Sequence, residues 1–354
     1  MEIVNNILPL KEFHRPSKPC VPLSIQQIEN VNLFNKGVLT KTIKFEEVPC
    51  LCGNDEFDLI ARYDRYSMLQ QTVMCRRCGL ILSNPRMTKE EYENFYRRDT
   101  YFDCYVPSNY LNSDGLARKY ARATGQHILD TVLKIKGLNE IKNVLEFGVA
   151  GGWNLIPFKE EGISVTGYDY SPNFVALGRE RGLNLIQGTI GSIVGKYDII
   201  ILSHVIEHLT NLIGDIKELK QHLNPKGIFY IAVPDIRIFN RYQLQNAHTY
   251  YFTLRTLHYY MAKCGLRLVH SEPSQIIHLA AVFLNEPLEL SVEFLSGHRE
   301  EMIKIIKRYC IREFLDQFFQ SNGSIKIIKK IIKRVMPNKF VKLKSWIYGM
   351  LCRH

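Results

Sequence analysis

Val144-Leu-Glu-Phe-Gly-Val-Ala-Gly-Gly-Trp-Asn-Leu155 is followed by a short helical pattern and then by Val165-Thr-Gly-Tyr-Asp169. The first apolar run carries an acid near its end, Glu146, and passes into a turn with Gly148, Gly151 and Gly152. The second apolar run ends in Asp169. This pattern predicts strand, tight turn, helix and strand, with a carboxylate at the tip of each strand. In an open parallel sheet, ligands bind at the carboxyl ends of strands, beside the point where strand order reverses. The fold class is therefore α/β, with a Rossmann-like sheet and helices on both faces.

The two acids narrow the ligand. A carboxylate such as Asp169 accepts two hydroxyl hydrogen bonds and suits a ribose diol. Glycines at the first turn let a ligand approach the backbone. Glu146, just before that turn, would repel a dinucleotide pyrophosphate and favour a ligand with positive charge. The turn also lacks the full G-x-G-x-x-G order of a dinucleotide site. S-adenosylmethionine has a ribose, an ammonium, a sulfonium and no phosphate, and it fits better.

Val144–Leu155 resembles the first motif of class I S-adenosylmethionine-dependent methyltransferases, in which an acid is followed by three alternating glycines. Glu146, Gly148 and Gly152 match, and Ala150 stands at the middle glycine. The resemblance implies a seven-stranded sheet. It also implies a cofactor site of Glu146, Gly148, Gly151, Gly152 and Asp169, with Tyr170 bordering the adenine and Ser203 at the end of the fourth strand. The family often holds the adenine amino group with an acid after the third strand. Gly188 and Thr189 stand there instead, so the contact is expected from backbone or a hydroxyl.

The chain has 354 residues, enough for two or three domains. It has no spanning apolar run and no signal-peptide pattern, so a cytoplasmic protein is expected. Its net charge is +11, and residues 301–354 hold 13 Lys/Arg against 3 Asp/Glu, so the charge sits almost wholly in the tail. Four of the nine cysteines form two close pairs, Cys50/Cys52 and Cys75/Cys78. Four thiolates on two knuckles can close a tetrahedral zinc site, and four protein ligands leave no open position, so the metal's role is structural. Gly53 and Gly79 follow the pairs, where a knuckle tends to need positive φ. The run Cys78-Gly-Leu-Ile-Leu-Ser-Asn-Pro-Arg86, with Glu90-Glu-Tyr-Glu-Asn-Phe-Tyr96, resembles the N-terminal zinc module of a methyltransferase subgroup. Many members of that subgroup modify sugars or lipid-linked glycans.

The predicted organisation is an arm over 1–46, a zinc ribbon over 47–86 and a helical linker over 87–136. A cofactor-binding core over 137–286 and a basic helical extension over 287–354 complete it. Tyr92, Tyr96, Tyr101 and Tyr105 make the linker aromatic, as packing or as the substrate mouth. The fourth strand, from Tyr197, runs into Ser203-His204-Val-Ile-Glu207-His208. H-x-x-E-H is also a metalloprotease signature, which needs both histidines on one helical face. A β-branched strand leads straight into the motif, which places His204 at a strand end instead. The segment resembles the fourth motif of ubiquinone-type and glycan methyltransferases, beside the transferred methyl.

Asn246-Ala-His248-Thr-Tyr-Tyr-Phe-Thr253 resembles the substrate-side loop of the same family. Sugar C-methyltransferases have Glu-His there, and this chain has Ala247-His248. Loss of that acid favours transfer to oxygen or nitrogen over carbon, with His248 the first choice of base or substrate contact and His204 the second. In the tail, Ile325–Met336 predicts a basic amphipathic helix for peripheral contact with the inner face of a membrane, for docking on the core, or for nucleic acid. The reading is a methyltransferase acting on a hydroxyl or amine of a sugar, glycan or lipid-linked glycan. Its rivals are an RNA methyltransferase, a sugar C-methyltransferase and a zinc scaffold with a dead pocket.

Overall fold

The structure, a computed structural model, describes residues 3–6, 19–97, 116–273 and 278–321. In chain order it gives β1 (Ile3–Asn6), α1 (Ile25–Leu39), β2 (Phe45–Glu46), β3 (Phe57–Tyr63), β4 (Leu69–Cys75), β5 (Ile81–Ser83), β6 (Arg86–Met87) and α2 (Lys89–Arg97). Then come α3 (Leu116–Leu133), β7 (Asn143–Phe147), α4 (Ile156–Glu160), β8 (Ser164–Asp169), α5 (Pro172–Arg179), β9 (Asn184–Gln187), β10 (Tyr197–Ser203) and α6 (Leu212–Lys220). The chain continues with β11 (Leu223–Pro234), β12 (Tyr250–Tyr251), α7 (Leu254–Lys263), β13 (Arg267–Pro273), β14 (His278–Leu284) and α8 (His298–Ser321).

The central sheet has seven strands in the order β13-β14-β11-β10-β7-β8-β9. β7 to β11 run parallel, and β14 is antiparallel to both β11 and β13. Its middle strands are apolar on both faces because helices cover both. Ile200 and Leu202 pack into one apolar cluster, Ile199 and Ile201 into the other. Strand order reverses between β10 and β7, so their carboxyl ends, at Ser203 and Phe147, open the ligand crevice.

The cysteine pairs lie at the turns before β3 and after β4 of a second sheet, ordered β1-β3-β4-β5-β12. Its last strand comes from the substrate-side loop, so this module and the core share a sheet. They also share a core: Cys50, Cys75 and Cys78 sit in the same apolar cluster as Leu145, Phe147 and Phe252. Gly53 and Gly79 take φ +82° and +72°, as the knuckles require.

Three segments show structure or packing that the sequence reading did not give. The 1–46 arm holds β1 and a full helix, α1, whose Ser24 cap accepts from Gln27 N. α1 buries Val31 and Phe34, which weak periodicity had hidden. Part of the 87–136 linker, α3, packs into the core through Ile128, Leu129 and Val132, while Tyr101 and Tyr105 lie outside the described residues. In the 287–354 extension, α8 buries Met302, Ile306 and Cys310 against Ile60, Met74 and Ile81 of the module sheet. The basic Ile325–Met336 helix lies outside the described residues. Among the described residues, no helix is long and apolar enough to cross a membrane.

Candidate functional site

The first turn is built as a close-approach loop. Gly148 takes φ +70°, and a Cβ there would meet Val205 Cγ2 at 2.5 Å. Ala150, at the middle-glycine position, also takes a left-handed φ of +46°. That conformation costs an L-residue about 1 kcal/mol. The peptide it strains is used: Ala150 N donates to Asp169 Oδ2 at 2.8 Å, and Ser171 N donates to Oδ1 at 2.8 Å. Asp169 therefore clips the turn to the next helix and keeps the outer lone pairs of both oxygens. Replacing Gly148 by alanine is expected to cost about 2–3 kcal/mol, through the left-handed φ and the Val205 clash, and to close the pocket. A lowered melting temperature together with lost cofactor binding by calorimetry checks this.

Glu146 is 1% exposed. Its Oε1 accepts from Asn154 Nδ2 at 2.7 Å, while Oε2 is buried without a partner. Burial pushes its carboxyl up to about 8, and the nearby Asp169 charge adds to this. Burial raises Asp169 as well, against its three backbone hydrogen bonds. The two acids thus converge on one turn, and an unpartnered buried acceptor there suits an ammonium. Tyr170 stands edge-on to Phe147 with centroids 5.9 Å apart. At the expected adenine end, a Cβ on Gly188 would meet Ser192 Oγ at 2.3 Å, so the loop is closed on itself without an acid.

On the other side of the crevice, β10 ends at Ser203 and the chain turns at His204, whose φ is +57°. His204 Nδ1 lies 3.3 Å from Glu207 Oε1, and the imidazole remains 41% exposed over a carboxylate that is 1% exposed. Burial pushes Glu207 up, but the His204 hydrogen bond and the His208 and His204 charges bring it below the ordinary carboxylate value. His204 also stands edge-on to His278, the first residue of β14, at 4.4 Å between centroids. Burial and the His204 charge lower His278 to about 4.

Residues 206–208 form a single 3-10 turn. His204 lies outside it, so the two histidines of H-x-x-E-H do not share a helical face, and the protease arrangement is not formed. His248, the sequence's first choice, is 7% exposed with Nδ1 unpartnered. Burial and the His208 charge hold it well below the usual imidazole range. It packs edge-on to His208 at 4.9 Å. The module sheet holds its peptide: Ser83 Oγ donates to His248 O at 2.7 Å, and Ser83 N donates to Thr249 O at 3.0 Å. Arg86 adds a bond to Thr210 O at 2.8 Å and one to the Tyr250 hydroxyl at 3.2 Å.

Sequence reasoning missed Asn154, Ser83 and His278. Asn154 alone left a signal, as a polar side chain in the apolar run after the turn. Tyr96, one of the four linker tyrosines, places its hydroxyl 2.9 Å from His208 Nδ1.

The ligand atoms of Cys50, Cys52, Cys75 and Cys78 lie within 4.8 Å of one another. Cys50–Cys78 and Cys52–Cys75 are 3.5 and 3.6 Å apart. A tetrahedral ion with bonds of about 2.3 Å to sulfur has edges of about 3.8 Å, so the set fits a structural ion. The Tyr260 hydroxyl is 3.3 Å from Cys78 Sγ, an outer-shell bond from the core helix α7.

The strand order and the paired acids form a Rossmann-like crevice, with the histidine–carboxylate pair at the end of the neighbouring strand β10. Residues 117–271 match a family profile described as a methyltransferase domain. They form a class I S-adenosylmethionine-dependent methyltransferase domain. The chain is similar to ubiquinone biosynthesis O-methyltransferases of Rickettsia typhi and Rickettsia prowazekii. It is 30% identical to the first over 138 residues, covering 36% of this chain and 56% of that protein. To the second it is 29% identical over 157 residues, covering 41% and 59%. The match thus spans little more than half the length of these relatives. Among solved structures, the Burkholderia thailandensis 1,6-didemethyltoxoflavin-N1-methyltransferase is 18% identical, with 58% of this chain and 96% of that one covered and a TM-score of 0.44. The Synechocystis PCC 6803 magnesium protoporphyrin IX methyltransferase with bound SAM is 15% identical, with 55% and 97% covered and a TM-score of 0.44.

Glu146 makes stability depend on pH, and binding of a cation beside it would depend on pH in the opposite way. The unfolded chain releases this proton in the ordinary carboxylate range, and the empty fold keeps it to about pH 8. Stability without ligand is therefore full below the ordinary range and lost as pH rises through about 8, by at most a few kcal/mol. A cation beside Glu146 would favour the ionised form, so its affinity would rise over the same window. Glu146→Gln is expected to flatten the melting-temperature profile and to weaken binding about 10–100-fold, the worth of one charged hydrogen bond. Melting curves and calorimetry from about pH 6 to 9 check both.

Proposed function

We propose that the protein methylates a hydroxyl of a sugar or glycan, using S-adenosylmethionine. The observation that carries the oxygen acceptor is the His204–Glu207 pair: an exposed imidazole, oriented by a buried carboxylate, at the mouth of the cofactor crevice. Bound S-adenosylmethionine supplies a methyl group on a positively charged sulfur. Glu146 receives its ammonium and Asp169 its ribose hydroxyls. His204 accepts the acceptor's hydroxyl proton as the oxygen–methyl bond forms and the sulfur–methyl bond breaks. Sulfur leaves as a neutral thioether, so no acid is needed there. Most of the rate comes from holding oxygen, methyl and sulfur in line.

Two further points support oxygen as the acceptor. Ala247 replaces the acid that carbon methylation would use as a base, and the relatives named above are O-methyltransferases. The sugar or glycan class rests on the resemblance of the cysteine module and its Arg86 run. The ion in that module is zinc, held by Cys50, Cys52, Cys75 and Cys78. The basic tail serves as a peripheral membrane contact that brings a lipid-linked acceptor within reach.

Mass spectrometry of cell glycans and lipids, with the enzyme present and absent, tests the reading. The expected result is a species in which a methyl replaces one hydroxyl hydrogen, stable to alkali as an ether is, and missing when the enzyme is absent. A methylated base in RNA, with unchanged glycans, would overturn it.

A further inference from the structure

A second group of possible metal ligands lies beneath His204. Glu207, His208 and His248 each bring one ligand atom to within 4.8 Å of the others. Glu207 and His248 are buried and His208 is half-buried, and two of their atoms are orphaned: Glu207 Oε2 and His248 Nδ1 are buried with no hydrogen-bond partner. An unpaired buried carboxylate oxygen costs several kcal/mol unless something binds it. The third ligand is oriented for the same point. His208 Nδ1 lies 2.9 Å from both the carbonyl of Ala247 and the hydroxyl of Tyr96, so Nδ1 is taken up by protein partners and Nε2 is the nitrogen left for an ion. Metal-bound histidines have this arrangement, donating their other N–H to a backbone carbonyl. The remaining carboxylate oxygen, Glu207 Oε1, is turned to His204 at 3.3 Å.

The spacing of these groups is fixed by the fold. Thr249 N donates to Glu207 O at 2.7 Å, and Thr249 Oγ1 donates to the same oxygen at 2.9 Å. Ser83 holds the His248 carbonyl from the module side. The triad is thus gripped between the end of β10 and the cysteine module.

We propose that Glu207, His208 and His248 bind one divalent transition-metal ion, separate from the four-cysteine site. Two imidazoles and one carboxylate select zinc, iron(II) or cobalt(II) over magnesium or calcium, which prefer oxygen. Three protein ligands leave a position open, as in catalytic rather than structural sites. The group that takes it is a hydroxyl oxygen, whose proton the ion makes easier to remove. This last role rests on the O-methyl transfer proposed above; the site itself does not.

The test uses the full chain with its cysteine site filled with zinc, dialysed against cobalt(II). The expected result is about one further ion per chain, with an absorption-edge spectrum of nitrogen and oxygen neighbours and no sulfur. Glu207→Gln and His248→Asn should each weaken its binding more than about 100-fold, beyond what outer-shell changes do. His204→Asn should leave it in place. Circular dichroism and calorimetry with S-adenosylmethionine verify that the variants are folded, and the wild-type spectrum stands even if one is not. No further ion, a sulfur neighbour, or equal binding by folded Glu207→Gln would overturn the site. Methyl transfer to an acceptor other than a hydroxyl, with the ion still bound, would overturn only its role.

Discussion

Cys75→Ser is expected to lower the melting temperature by more than about 10 °C and to abolish turnover, although none of the four clustered cysteines belongs to the cofactor turn. Cys50, Cys75 and Cys78 sit inside the apolar cluster that also holds Leu145 and Phe147, and Cys52 packs against it, so the four cannot fray independently. Structural zinc sites contribute about 10–16 kcal/mol to small folds, comparable with the whole stability of a domain. A loss of only about 5 kcal/mol would shift a domain of this size by about 10–20 °C. Activity is lost by a traceable route. Cys75 ends β4, β4 pairs with β5, and β5 pairs with β12 at Tyr250 and Tyr251. Ser83, at the end of β5, holds the peptides of His248 and Thr249, and Thr249 holds that of Glu207. Scanning calorimetry with metal analysis, on the variant and on chelator-treated wild type, measures this. A metal-free chain with an unchanged melting temperature would sink the structural role of the ion.

The cofactor half of the site was legible because it is local. Glu146, Gly148, Gly152 and Asp169 all fall in one strand–turn–helix–strand unit, where spacing alone brings them together. Helix stops and starts were legible for the same reason, as at Ser171 before Pro172 and at Thr253, whose hydroxyl accepts from Thr256 N. The acceptor half was not. Sequence reasoning put His248 first, from its loop's resemblance to the substrate-side loop of the family, and His204 second. Which of the two stays exposed depends on β12 joining a sheet whose other strands lie within residues 3–83. No local period encodes that pairing. The arm over 1–46 failed differently: α1 carries exposed Ile25, Leu33 and Leu39, so its apolar residues do not trace a single face.

His204→Asn should reduce kcat by about 10²–10⁴, the usual worth of a positioned general base, and leave S-adenosylmethionine affinity within about twofold. That corresponds to about 3–5 kcal/mol of transition-state stabilisation, far more than the loss of one exposed side chain costs the fold. The argument rests on which nitrogen is committed. Glu207 is ionised at neutral pH, so it fixes the proton on Nδ1 of His204 and leaves the other ring nitrogen as the acceptor. Glu207→Gln should therefore lower kcat with His204 still present, because an amide does not stabilise the imidazolium that forms. The left-handed φ of +57° at His204 is part of the same device. It lets the peptide still donate to Ala232 O at 2.9 Å while the side chain turns out of the sheet. Asparagine tolerates that conformation, which is why it is the chosen replacement. Single-turnover kinetics beside calorimetry separates chemistry from binding. If His204→Asn kept its full rate, the base would lie elsewhere and the pair at the strand end would be only a support.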